Sequence, residues 1–170
     1  AVIQWRTQDS TTAAKDLTPL DRNTTYYYFM GALNWNGAPN FDALRTFTTL
    51  SARPQNLALT VIDHNSAALT WTALPFAPSN ATALAYRLEA SSTNFNGAGA
   101  YITAATSNMG QNALTLSGLD GNTTYYFRIG ALNQALAPNY STSAVATTLA
   151  LPLPLDSLIT GVSPTGITIT

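Results

Sequence analysis

The chain has 170 residues, 46% of them hydrophobic and 9% charged, with a formal net charge of −1 and no cysteine. That balance suits one or two globular domains and excludes intrinsic disorder, the basic stripe that nucleic acid requires, disulfides, thiolate catalysis and cysteine-type zinc sites. No apolar run approaches the ~20 residues that span a bilayer, so no membrane insertion is expected. In chain order, "AVIQWRTQDS" opens without Met and without a signal peptide, the pattern of a mature product, an excised piece or a portion of a longer chain. Residues 10–16 mix Ala and Thr and read as a short edge strand or loop. "TTYYYFMGALN" is a strand, and "TFTTLSARP" (46–54) a last strand leading into a Pro-marked linker.

From there the period of two is plain. "NLALTV" sets Leu57, Leu59 and Val61 on one face, and "SAALTWTAL" sets Ala67, Leu69, Trp71 and Ala73. "LAYRLEAS" alternates Leu84, Tyr86 and Leu88 with Ala85, Arg87 and Glu89, the last two expected to face solvent. Residues 100–109 again read as an edge strand or loop, followed by strands at "NALTLSGL", "TTYYFRIGALN" and "STSAVATTL". A second Pro-marked linker around Pro152 and Pro154 is expected to be a stiff connector, and "SLITGVSPTGITIT" closes the chain with two more strands. Helical periodicity is nowhere sustained.

The chain repeats itself. "LDRNTTYYYFMGALN" (20–34) and "LDGNTTYYFRIGALN" (119–133) agree at eleven of fifteen positions, offset by 99. Both copies are followed by a strand and a linker, which predicts a unit of about 100 residues. The expected division is the C-terminal half of a domain at 1–50, a complete domain at 51–149, and the first two strands of another at 150–170.

In order and in duplicate, these motifs resemble tandem fibronectin type III domains of a bacterial-type extracellular array. The resemblance implies an all-β, immunoglobulin-like antiparallel sandwich. The family's Leu, its Thr four residues on and its Tyr six on match Leu119, Thr123 and Tyr125, with Phe127, Ile129, Ala131 and Asn133 continuing inward. The first copy supplies Leu20, Thr24, Tyr26, Tyr28, Met30 and Ala32. Trp71 and Tyr86 match core aromatics of the second and third strands, which makes Trp71, Tyr86, Leu119, Tyr125, Phe127, Tyr26 and Tyr28 the expected structural core. The Tyr at the head of its strand is expected to return its hydroxyl to the loop backbone, a tyrosine corner. Gly121-Asn122 stands where Pro-Gly is more usual, and no Arg-Gly-Asp occurs to support integrin adhesion.

No residue set reads as catalytic, and no cofactor or metal site is expected. His64, the single histidine, falls in "VIDHNS" and reads as a turn residue. Asp63 and Asp120 are turn formers rather than calcium ligands, which must converge in number. Asn23, Asn80, Asn122 and Asn139 head glycosylation sequons, open to modification in a secreted protein and otherwise ordinary turn residues. One signal is less bland. If Tyr26, Tyr28 and Met30 point inward, then Tyr27, Phe29 and Leu33 point outward, with Tyr126, Arg128 and Leu132 on the corresponding face of the second copy. Together with Trp35 they form a candidate contact face, against other copies or neighbouring repeats, or else covered by loops.

A half-domain of fifty residues cannot close a sandwich core by itself. Two expectations follow: strands 151–170 of one copy complete residues 1–50 of the next, or the chain is a window on a longer array. The function expected is non-enzymatic: an extracellular, cell-surface structural protein, spacing or self-associating in a surface layer, sheath, filament or adhesin stalk. The alternatives are an accessory module of a secreted carbohydrate-active enzyme, with saccharide contact at Tyr27 or Trp35, and an adhesin or receptor ectodomain binding protein through its loops.

Overall fold

Trp71 and Tyr86 meet at the centre of the molecule, ring centroids 5.4 Å apart, each at most 4% exposed. Around this contact a computed structural model describes residues 4–7, 9, 11, 14–97, 99–152 and 159–169. Its strands are β1 (Thr25–Tyr28), β2 (Gly31–Leu33), β3 (Pro39–Phe41), β4 (Arg45–Thr48), β5 (Gln55–Ile62), β6 (Ser66–Thr72) and β7 (Ala85–Ser91). They continue with β8 (Ile102–Thr106), β9 (Ala113–Ser117), β10 (Thr124–Leu132), β11 (Pro138–Tyr140), β12 (Ala144–Thr147), β13 (Ile159–Ser163) and β14 (Gly166–Ile169). One 3-10 turn, Ser79–Ala81, is the only helical element among the described residues.

Residues 51–150 form an antiparallel sandwich. A three-stranded sheet, β5-β6-β9, faces a five-stranded sheet ordered β11-β10-β7-β8, in which β12 also pairs with β10. The period of two does the work expected of it. Ala67, Leu69 and Trp71 point inward from β6, and Tyr125, Phe127, Ile129 and Ala131 from β10, all at most 4% exposed. The β5–β6 hairpin turns at Asp63–Asn65, where the Asp63 carboxylate accepts from the His64 backbone amide at 2.7 Å. That bond first, and the His64 ring second, holds the Asp63 carboxyl below the usual range. His64 is thus a turn residue, and residues 100–109 do contain an edge strand, β8.

On central strand β7, burial departs from the period of two although side-chain direction does not. Tyr86, Leu88 and Ala90 are buried, but Glu89 is also only 4% exposed. The expectation that Glu89 faces solvent is corrected, as is the outward placement of Leu132, which is 8% exposed. Both sit where something further covers the sheet's outer face.

Burial pushes the phenols of Tyr86 and Tyr140 upward; the Leu74 amide on Tyr86 partly opposes this. For Tyr140 the Glu89 carboxylate adds to the rise and Arg87 opposes it. A phenol whose folded value lies above its unfolded ~10 keeps its proton in the native state while the unfolded chain loses it. Its stabilisation is therefore complete below about pH 10 and declines as pH rises through the folded value. Urea unfolding between pH 9 and pH 11.5 is expected to show this decline, and Tyr140→Phe to flatten it.

Before the sandwich, β1 pairs with β4 and the β2–β3 hairpin lies between them, two two-stranded sheets with no facing layer among the described residues. Residues 4–24 contain no strand among the described residues. The final hairpin pairs β13 with β14, with a register shift between Ile159 and Gly161. The Pro-marked connector falls at residues 153–158, outside the described residues.

Candidate interaction surfaces

The two motif copies are built alike down to single bonds. Asp21 N donates to the Tyr26 hydroxyl at 2.8 Å, and Asp120 N to the Tyr125 hydroxyl at 3.1 Å, the expected tyrosine corner. Thr49 Oγ1 donates to Asp21 O at 2.7 Å, and Thr148 Oγ1 to Asp120 O at 2.6 Å. Asn34 Oδ1 accepts from Asn36 and Ala38, and Asn133 Oδ1 from Ala135 and Ala137, each clamping its turn.

Burial separates them. Leu119 and Tyr125 are 4% exposed and Phe127 is 0%. Tyr26 and Tyr28 are half-buried, packed on Phe47 at centroid distances of 5.6 and 5.9 Å. Met30, placed inward by alternation, is 57% exposed. The cause is a missing layer: the inner face of β10 packs on the β5-β6-β9 sheet, whereas no sheet faces β1 and β2 among the described residues. Tyr27, Phe29, Leu33 and Trp35 all lie in the open, Trp35 with no burial at all.

On β10 the corresponding face is covered. Tyr126 is half-buried, and Arg128 is enclosed rather than presented as a contact residue. Its guanidinium carbon lies 3.8 Å from the ring centroids of both Phe95 and Tyr140, and Nη2 meets Glu89 Oε2 at 2.7 Å. Tyr140 donates its hydroxyl to Glu89 Oε1 and accepts from Arg87 at 2.9 Å. Arg87 Nε also lies 3.0 Å from Glu89 Oε1, close enough for an ion pair but without hydrogen-bond alignment. The loop after β7 delivers Phe95 through left-handed backbone at Asn94 and Phe95 (φ 54° and 57°), braced by Ser91 Oγ accepting from the Phe95 amide. Three donors, Arg128 Nε, Arg128 Nη2 and the Tyr140 hydroxyl, satisfy the buried Glu89 carboxylate, with Arg87 as a second ion-pair partner. Single-sequence alternation has no signal for this, because it depends on where a loop folds back.

The second surface is the meeting of residues 20–51 with the sandwich. Asn23 is 5% exposed. Its amide nitrogen donates to the carbonyls of Thr82 (3.2 Å) and Ser79 (3.3 Å), and its Oδ1 accepts from Gln134 N at 3.0 Å. In the other direction Asn133, wholly buried, donates to the carbonyls of Thr49 and Thr48 at 3.0 and 3.3 Å. Asn139 donates to Ser51 O at 2.8 Å, and Ser51 Oγ to Leu132 O. Thus three of the four sequon asparagines have their amide nitrogens engaged in protein contacts: Asn23, Asn139, and Asn80, which donates to Asp21 at 3.1 Å. Reading these asparagines as turn residues missed the joint; repetition of Asn23 and Asn133 in the motif was the only available hint.

Among the described residues no three His, Cys, Asp or Glu side chains converge as a metal site. No helix among them is long and apolar enough to cross a membrane.

A family model described as the purple acid phosphatase N-terminal domain matches residues 54–148, more than half of the chain. The chain belongs to the purple acid phosphatase N-terminal domain family. The fold of this chain is similar to that of fibronectin type III domains. The FN1–FN3 domains of chicken CNTN1 align at 17% identity and a TM-score of 0.50, over 76% of this chain and 44% of that one. The fn3 domain of human collagen alpha-1(XX) aligns at 24% identity and 0.48, over 62% of this chain and 92% of that one. The FN5 domain of Drosophila Lar does so at 17% and 0.46, over 59% and 99%. Such identities speak for fold alone, and the expected fibronectin type III-like sandwich is met at that level. No curated protein matched the sequence.

Proposed function

We propose that this chain is a non-enzymatic structural module of the extracellular surface, in which sandwiches of the 51–150 kind are set in tandem as a spacer or self-associating component of a layer, sheath, filament or stalk. The observation that carries this reading is the joint at Asn23 and Asn133. Two side-chain amides, each at most 5% exposed, reach across in opposite directions to carbonyls of the neighbouring segment. Buried amides that are fully bonded fix one orientation, because any swing leaves a desolvated donor unpaired at about 1–3 kcal/mol. A fixed joint is what a spacer needs and what a flexible tether lacks. Low charge favours lateral packing through the open face of Tyr27, Phe29 and Trp35.

Asn23→Gly tests the joint, since glycine keeps the left-handed φ of 47° and removes only the amide. Backbone relaxation by NMR is expected to show residues 20–50 tumbling with the sandwich in the parent chain and faster than it in the variant. Unchanged tumbling would falsify the fixed joint. Electron microscopy of the purified chain bears on self-association: ordered polymers are expected, and isolated particles at every concentration would remove that part of the reading.

The family model favours a second reading, an accessory module of a larger enzyme, because an N-terminal domain by its description is part of something longer. Saccharide contact at Tyr27 or Trp35 would belong to that reading.

A further inference from the structure

We propose that the end of the sandwich carrying Asn122 is a second socket of the same design as the one filled at Asn23, and that it receives a further sandwich of the 51–150 kind set in line after Leu149. The inference rests on the tandem reading and adds a named site and occupant to it.

The two ends share their backbone. Asn23 and Asn122 both lie in the left-handed region, at φ 47° and 55°. Asn23 N donates to Leu50 O at 3.1 Å, and Asn122 N to Leu149 O at 3.0 Å. Thr24 N donates to Thr49 Oγ1 at 3.0 Å, and Thr123 N to Thr148 Oγ1 at 2.9 Å. What differs is the load. Asn23 has both ends of its amide bonded and is 5% exposed. Asn122 is exposed, and its side-chain amide meets no hydrogen-bond partner among the described residues.

Left-handed backbone accepts glycine as well as asparagine, and at the equivalent position of the first copy the Asn23 amide is spent on bonds across the joint. The filled joint says what that bond requires: a tight turn offering carbonyls like those of Ser79 and Thr82, and a free amide N–H like that of Gln134. It must also bring an asparagine like Asn133 to reach back, here toward the carbonyl of exposed Thr147, since Thr148 is already only 3% exposed within the sandwich. Among the described residues, the end of the sandwich that meets Asn23 carries all of these together. A further sandwich is therefore the occupant whose chemistry fits. Asp120, matching the Asp21 that holds Asn80, adds a fourth contact of the same pattern.

The test compares the chain with an extended form in which a second copy of residues 51–150 follows Leu149 as Ser51 follows Leu50. Asn122→Gly is expected to lower Tm of the extended form by about 2–4 °C and to leave the parent chain unchanged, while Asn23→Gly lowers both. The side-chain amide of Asn122 is expected to exchange with solvent at least tenfold more slowly in the extended form. Equal effects of Asn122→Gly on the two forms, or none, would overturn the proposal. Self-association of the parent chain that Asn122→Gly abolishes would also overturn it, by making a separate copy the occupant. Should Asn23→Gly leave the first joint rigid, the tandem reading fails as a whole; a silent Asn122 alone removes only the second socket.

Discussion

Phe127→Ala is expected to cost about 3–5 kcal/mol of folding stability, whereas Tyr28→Ala, the matching position of the first copy, is expected to cost about 1 kcal/mol. The two side chains stand 99 residues apart in near-identical sequence. Phe127 has no exposed surface and lies between two sheets, beside Tyr125 at a centroid distance of 6.3 Å. Removing it forfeits the transfer of a whole ring and leaves a cavity that surrounding strands cannot close. Tyr28 packs on one ring, Phe47, and is otherwise open, so its removal exchanges little apolar surface and leaves no enclosed void. Urea unfolding monitored by tryptophan fluorescence reads both. Equal losses at the two positions would mean that the first copy has a facing layer, completed by another chain in solution.

Glu89→Ala is expected to cost about 3 kcal/mol, the lower end of the range for breaking a buried ion pair. The lower end applies because the side chains of Arg128 and Arg87 keep 22% and 36% of their surface in water. After the substitution Arg128 remains clamped between Phe95 and Tyr140 with no carboxylate. The double variant Glu89→Leu with Arg128→Met removes both charges and fills the same volume. It is expected to lie within about 1 kcal/mol of the parent, since apolar replacement of a buried pair is often neutral. Thermal unfolding of Glu89→Leu, Arg128→Met and the double variant gives the coupling directly. A double variant as damaged as the single one would show that the aromatic sandwich, not the ion pair, holds the outer face of β7.

The sandwich and its core were legible in the residues because burial there follows a period of two along each strand. Trp71, Tyr86, Leu119, Tyr125 and Phe127 all come to the interior. The same rule misplaced Glu89, Met30 and Leu132. Glu89 alternates outward correctly, but Arg128, capped by Phe95 from the loop after β7, covers it. Met30 alternates inward correctly, but no sheet lies opposite. Leu132 is covered by the segment around Ser51, which sequence spacing treats as a linker.

By itself, then, the sequence determined what each strand presents: which residues share a face, where the turns fall, and that one template is written twice. Tertiary structure alone decided what each face meets, and so which of two near-identical motifs is core and which is surface. The reason is physical. Alternation is a property of one strand's backbone, whereas burial and hydrogen-bond satisfaction depend on a partner brought from elsewhere in the fold, as Thr82 is to Asn23 and Phe95 to Arg128.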